Sequence, residues 1–151
     1  MVRMGSDSST QLQPESADLG PFASALVDRL GINLVKATAQ CVVGTMPVEG
    51  NTQPHGLLHG GASLALAETL GSVGAMLHAA PDRIALGVDI NATHHRAVGS
   101  GSVTGVATPV HLGRSAATYD IVISDEQDRR VCSARLTCML RPAPDTGAGT
   151  N

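Results

Sequence analysis

The sequence predicts an α+β domain in which one antiparallel sheet packs on a single long helix, and three observations lead to that expectation. Between His59 and His78 an apolar segment is broken by one acid, Glu68, and it is too long for a strand. Six shorter runs rich in β-branched residues alternate apolar and polar positions, two before that segment and four after it. Turn-forming residues separate these runs, and no internal repeat is visible.

Residues 1–20 are rich in Ser, Gln, Asp and Pro, which predicts a disordered tail. Residues 21–30 carry Phe22, Ala25, Leu26 and Leu30 at helical spacing, with Gly31 as the stop, so a short lid-like helix is expected. Residues 32–36 and 40–46 predict two antiparallel strands joined by a tight turn, and residues 47–54 a loop. After the long helix, Pro81 and Asp82 predict a turn, and residues 85–95 a strand with Leu86, Val88 and Ile90 on one face. Strands at 101–110, 116–124 and 131–140 complete the sheet, joined by a turn at 111–114 and a charged, exposed hairpin loop at 125–130. In the last strand Cys132, Ala134, Leu136, Cys138 and Leu140 share the apolar face, so both cysteines belong in the core. Residues 142–151 predict a second loose tail, which leaves 21–141 as the domain.

A chain of 151 residues makes one ordinary domain and buries roughly two-thirds of its unfolded surface. With no Trp, one Tyr and one Phe, its core must be aliphatic, and stacking platforms for single-stranded nucleic acid are absent. Ten basic and thirteen acidic residues give a net charge of −3 without any cationic run, so nucleic acid is excluded as a partner. Cys41, Cys132 and Cys138 are odd in number and lack metal-type spacing; they predict a reducing compartment, three small buried hydrophobes and no metal site. The N-terminus has no signal-peptide core. The apolar segment 62–77 is shorter than a membrane span and contains Ser63, Glu68, Thr69 and Ser72. A cytoplasmic protein without membrane contact is expected.

Chemistry is expected at the helix start, because the first N–H groups of a helix lack internal partners and carry partial positive charge. Gly60 and Gly61 put no side chain in the way, so a carbonyl oxygen could sit on those donors as charge develops. Capping or tight packing would also explain the glycine pair. Glu68 shifts the balance, since a carboxylate seldom enters an apolar element without a partner or a task. Ser72 lies one turn further on and could bond the acid or a water beside it. Burial would raise the pKa of Glu68, whereas donors such as Ser72 would keep it ionised; both directions remain open.

The spacing carries a constraint of its own. Eight residues of helix separate Gly60 from Glu68 by about 12 Å along the axis, so one reacting carbonyl cannot touch both. If both act, a second helix must run antiparallel alongside, which predicts a twofold dimer with two shared sites.

The run His59-Gly60-Gly61-Ala-Ser-Leu-Ala-Leu-Ala-Glu68-Thr-Leu-Gly-Ser72, with Gln53 six residues before His59, resembles the signature of hotdog-fold acyl-CoA thioesterases. It is most similar to the branch of the phenylacetate-pathway and Arthrobacter-type 4-hydroxybenzoyl-CoA thioesterases, over about residues 30–141. The resemblance implies that Gly60 N–H polarises the thioester carbonyl and that Glu68 of the partner is nucleophile or general base. It implies that Gln53 and His59 orient the carbonyl and its loop, that Ser72 helps position the hydrolytic water, and that two dimers pair into a tetramer. No cofactor is implied, the CoA thioester being the substrate. Arg96 and Arg114 lie where such enzymes often bind the nucleotide, and Gly113 and Ser115 offer N–H and hydroxyl donors beside them; solvated charge is the other explanation.

His94 and His95 depart from this pattern, because apolar or aromatic residues usually precede that Arg. Strand alternation would point one inward and the other away, which favours an altered acyl pocket over a metal pair. The expected activity is hydrolysis of an acyl-CoA to acid and free CoA. The alternative is a hotdog protein that binds acyl-CoA as a sensor without hydrolysing it; the full set Gln53, His59, Gly60, Glu68 and Ser72 favours catalysis.

Overall fold

The computed structural model describes residues 20–144, so the disorder expected of most of the two tails lies outside the described residues. A 3-10 turn at Gly20–Phe22 leads into α1 (Ala25–Leu30). The helix begins later than its apolar spacing suggests because Ser24 is extended and its side chain accepts the Val27 N–H, and it ends where Gly31 turns left-handed at φ 69°. Then follow β1 (Asn33–Thr38), β2 (Cys41–Pro47), α2 (Gly60–Ala79), β3 (Arg83–His94), β4 (Ser102–Leu112), β5 (Ala116–Ser124) and β6 (Arg130–Pro142). All five strand pairs are antiparallel in the order β1-β2-β4-β5-β6-β3, with α2 across one face. This is the expected α+β architecture.

α2 lies close to the sheet because glycines clear its path. Gly44 and Gly105 sit opposite each other in β2 and β4, and Leu70 fills the socket they leave; a Cβ on either would come within 2.7 Å of its methyls. On the helix side, Cβ atoms at Gly71 and Gly74 would stand 2.7 Å from Leu136 and from the Tyr119 ring. Tyr119 is fully buried and its hydroxyl donates to the Ala39 carbonyl at 2.7 Å, which ties the β1–β2 turn over the core. Leu66, Leu70, Val73, Ile121, Ile123 and Leu136 complete an aliphatic interior.

Four details depart from the sequence pattern. β3 shifts register between Gly87 and Asp89, so Val88 leaves the alternation; Val88 is 59% exposed and Leu86 51%, while Ile90 packs on the core. Asp125 is buried, although it belongs to a charged hairpin: its carboxylate accepts the N–H groups of Gln127 and Arg129 and pairs with the Arg129 side chain, building the turn from inside. Cys41 is only half-buried, because it closes the β1–β2 turn against the Thr38 hydroxyl, while Cys132 and Cys138 are in the core as expected. β6 runs on to Pro142, because the pairing with β3 continues to Arg83.

Gly74→Ala should destabilise the fold by about 1–3 kcal/mol, because the anchored Tyr119 ring cannot retreat. Gly99→Ala, whose Cβ would meet only Leu57 at an ordinary 3.8 Å, should stay within about 0.5 kcal/mol of the parent. Urea unfolding of both variants checks the contrast.

Candidate active site

The N-terminus of α2 is built by His59. Its backbone is extended at φ −68° and ψ 130°, and its ring Nδ1 accepts the Gly61 N–H at 2.8 Å. Its carbonyl takes the N–H groups of Ala62 and Ser63. An accepting Nδ1 places the ring hydrogen on Nε2. Of the first helical donors, the Gly60 N–H is therefore the one left without an acceptor among the described residues. His94, from the end of β3, closes over it: a Cβ on Gly60 would lie 2.8 Å from the His94 Nε2. Glycine at this position leaves the donor accessible beneath an imidazole.

The loop before the helix shapes the same end. The Gly56 N–H bonds the Gln53 carbonyl at 2.9 Å, with Gly56 at φ 77°, and the Gln53 side-chain oxygen accepts the His55 N–H. That leaves the Gln53 amide hydrogens without a protein acceptor among the described residues. Gln53, Gly60, Ser63, His94, His95 and Arg96 line a cavity of about 350 Å³.

Asn51, which the sequence pattern did not single out, holds this end in place. It is 7% exposed, and its amide donates to the carbonyls of Leu30 at 2.8 Å and Pro47 at 2.9 Å, while its own carbonyl accepts the His59 N–H at 2.8 Å. The Asn51 side chain thus joins the end of the lid helix to the end of β2, and its backbone carbonyl holds the cap of α2. A polar residue within a stretch of turn formers gave no signal, because the carbonyl it reaches at Leu30 is 21 residues away.

Glu68 lies elsewhere, exposed in the single protomer. Its Oε1 comes within 3.4 Å of where a side chain on Gly87 would start, so the missing side chain in β3 lets the acid lean over the sheet edge. With Thr69, Ser72, Met76, Phe22 and Leu26 it lines a second cavity of about 410 Å³ under the lid. Beneath it in the core, burial raises the pKa of the Cys138 thiol, opposed by the Ser72 hydroxyl and reinforced by the Glu68 charge. Burial, with Cys138 alongside, likewise pushes Tyr119 up to about 12.

The protomer brings Gln53, Gly60 and Arg96 together, with His59 capping beside them, and brings Glu68 and Ser72 together; it keeps the two groups apart. The turn containing Gly113, Arg114 and Ser115 is at the opposite end of α2 from Gly60. The Gly113 carbonyl bonds His78 Nε2 at 2.8 Å in the last helical turn, the Arg114 carbonyl accepts from Arg83, and the Ser115 carbonyl accepts the Leu140 N–H at 2.8 Å. A helix of 20 residues puts about 30 Å between its ends. His94 faces Gly60 while His95 bonds the Ser133 hydroxyl at 2.9 Å, so the two rings do diverge. Among the described residues no three His, Cys, Asp or Glu side chains gather as a metal site, and no helix is long and apolar enough to cross a membrane.

A sheet wrapped around one long helix, with a glycine-opened helix start and one acid in a separate cavity, has the hotdog fold of a thioester hydrolase. Comparison with known proteins agrees. The model of the thioesterase superfamily matches residues 55–132, and the chain belongs to that family. It is 50% identical over 113 residues to the proofreading thioesterase EntH of Cronobacter turicensis, covering 74% of this chain and 82% of the relative. A crystal structure of a Haemophilus influenzae thioesterase superposes with a TM-score of 0.79 at 38% identity, covering 85% of this chain and 90% of that one. A thioesterase mutant from Pseudomonas aeruginosa gives 0.77 at 36% identity, covering 85% and 97%.

Asn51→Ala removes two hydrogen bonds from the half-buried carbonyls of Leu30 and Pro47 and should cost about 1–3 kcal/mol of stability. Hydrogen exchange should then show early loss of protection at the His59 and Ile32 amides. Unchanged protection there would separate Asn51 from the helix cap.

Proposed function

We propose that the protein hydrolyses acyl-CoA thioesters at two sites shared by a twofold dimer, each combining Gly60 of one protomer with Glu68 of the other. The observation that carries this reading is that Gly60 and Glu68 line different cavities along one helix, so each cavity is half a site. The free edge supports it: β3 ends the sheet and exposes Leu86 and Val88 beside the Glu68 carboxylate. A second copy along that edge covers both side chains and delivers its own Gly60.

In the assembled site the thioester oxygen accepts from the Gly60 N–H at the positive end of the helix dipole, with His59 and Gln53 fixing the loop and carbonyl. Glu68 either removes a proton from water as that water attacks the carbonyl carbon, or attacks that carbon itself to give an anhydride that water then opens. Both routes need the ionised carboxylate, both place negative charge on the oxygen at Gly60, and both break the C–S bond with departure of the CoA thiolate, which takes up a proton; in the second route this happens as the anhydride forms, before water opens it. Ser72, beside Glu68, steadies the water.

Arg96 and Arg114 are matched to the CoA phosphates, with Gly113 and Ser115 as donors, since neither Arg has an acidic partner among the described residues. Pairing Gly60 with Glu68 centres the twofold near residue 64 and carries the partner's 113–115 turn past the Gly60 end. Phe22, Leu26, Val73 and Met76 give the acyl group an apolar wall. The His59-Gly60-Gly61 and Glu68 spacing supports the phenylacetate-pathway and Arthrobacter-type branch, with two dimers pairing, and the relative named a proofreading thioesterase supports a proofreading task. Three free thiols suit a reducing cytoplasm.

Glu68→Gln should keep the dimer while lowering kcat by at least about a hundredfold. Glu68→Ala and Gly60→Val, each inactive alone, should regain turnover when unfolded and refolded together, because a mixed dimer restores one intact site. Mixtures as inactive as their components would sink sharing in trans. Arg114→Ala should raise KM for a CoA ester several-fold more than for the matching pantetheine ester, and an equal rise in both would remove Arg114 from the phosphates.

A further inference from the structure

Three elements converge on one surface turn that the hydrolytic chemistry does not touch. The Gly113 carbonyl accepts from His78 Nε2 at 2.8 Å, in the last turn of α2. The Arg114 carbonyl accepts from the Arg83 guanidinium at the start of β3, and the Ser115 carbonyl accepts the Leu140 N–H of β6 at 2.8 Å. A carbonyl can only accept, so His78 carries a hydrogen on Nε2. Within the turn, the Gly113 N–H closes on the Ala116 carbonyl at 2.9 Å. Only glycine fits there, because a Cβ would collide with the His111 ring and stand 2.9 Å from that same carbonyl oxygen.

The held carbonyls decide where the neighbouring amides point. In a trans peptide the C=O and the N–H of the next residue face opposite ways, and the peptide bonds of this turn are trans. Fixing the Gly113 oxygen on His78 therefore turns the Arg114 N–H away from the helix, and fixing the Arg114 oxygen on Arg83 turns the Ser115 N–H away from that guanidinium. Both amides belong to exposed residues, and neither has an acceptor among the described residues. The Arg114 guanidinium and the Ser115 hydroxyl are likewise without protein partners there. The turn thus spends its oxygens on the protein and keeps its donors for an anion.

We propose that His78 is a positioning residue for the phosphate end of the substrate: by holding the Gly113 carbonyl it keeps the Arg114 amide aimed away from the protein and the turn already shaped for an anion. Arg83 does the same for the Ser115 amide. The inference rests on the reading of Arg114 as a ligand of the CoA phosphates and refines it, with Gly113 shaping the turn while Arg114 and Ser115 supply the donors. Without His78 the 113–114 peptide is free to rotate and to present its oxygen to the phosphate, and binding must first restore the order.

The test uses the full-length protein and two independent readouts. Hydrogen exchange reads the hold itself: His78→Ala should speed exchange of the Gly113 amide about tenfold while the Val73 amide, in the same helix, stays as slow as in the parent. Equal Gly113 exchange in parent and variant overturns the proposal, with no ligand needed. Calorimetric titration reads the consequence. CoA should bind His78→Ala about fivefold more weakly than the parent, whereas pantetheine, which lacks the phosphates, should bind both equally. His78→Gln, whose amide N–H can reach the same carbonyl, should recover most of the CoA affinity. An equal weakening for both ligands, or no recovery in His78→Gln, means that the ring acts through packing and refutes the proposal. A parent that binds CoA no more tightly than pantetheine fails the phosphate reading and the proposal with it, while the exchange rates still tell whether His78 holds the turn.

Discussion

The closeness of α2 to the sheet is the constraint on which the rest of the protein depends. Gly44 and Gly105 open a socket for Leu70, and Gly71 and Gly74 let the helix settle on Leu136 and Tyr119. Four absent side chains at matched positions permit an approach that ordinary residues would block. Because the helix lies so low, Glu68 can lean over the edge strand at Gly87. The same seat leaves the ends of the helix to the loops, where His59, Asn51 and His78 secure them.

This seating also explains how one helix presents two separate kinds of chemical group. Its start is a donor: a dipole end, an N–H without an acceptor among the described residues and a neighbouring imidazole from His94. Its middle is an acid beside an apolar wall from the lid. Helical rise keeps them apart, and an unpaired edge strand with exposed Leu86 and Val88 lies along the middle. Asn51 connects the two regions within the protomer, since it bonds both the last turn of the lid helix and the strand end from which the His59 loop departs.

Much of the architecture was legible because alternation and helical spacing report burial directly. β6 reads as a buried strand from its residue types alone, and its apolar positions are buried as expected. What misled was local: the β3 bulge at Val88 breaks a period that residue types cannot register, and Asp125 looks like solvent-facing charge until its carboxylate is seen accepting backbone donors. Cys41 resembles the other two cysteines by type, yet sits at a turn with less above it.

The sequence by itself determined the fold class, the helix start at Gly60, the lone acid at Glu68 and, through a fixed rise per residue, the fact that these two cannot meet in one protomer. Those conclusions depend on spacing along the chain, which the backbone converts to distance without help. Only the tertiary structure decided which groups converge from afar: His94 over Gly60, Asn51 beneath the His59 loop and Gly87 under Glu68. Such contacts arise from strand register and helix seating, quantities summed over the whole core, and no single stretch of residues contains them.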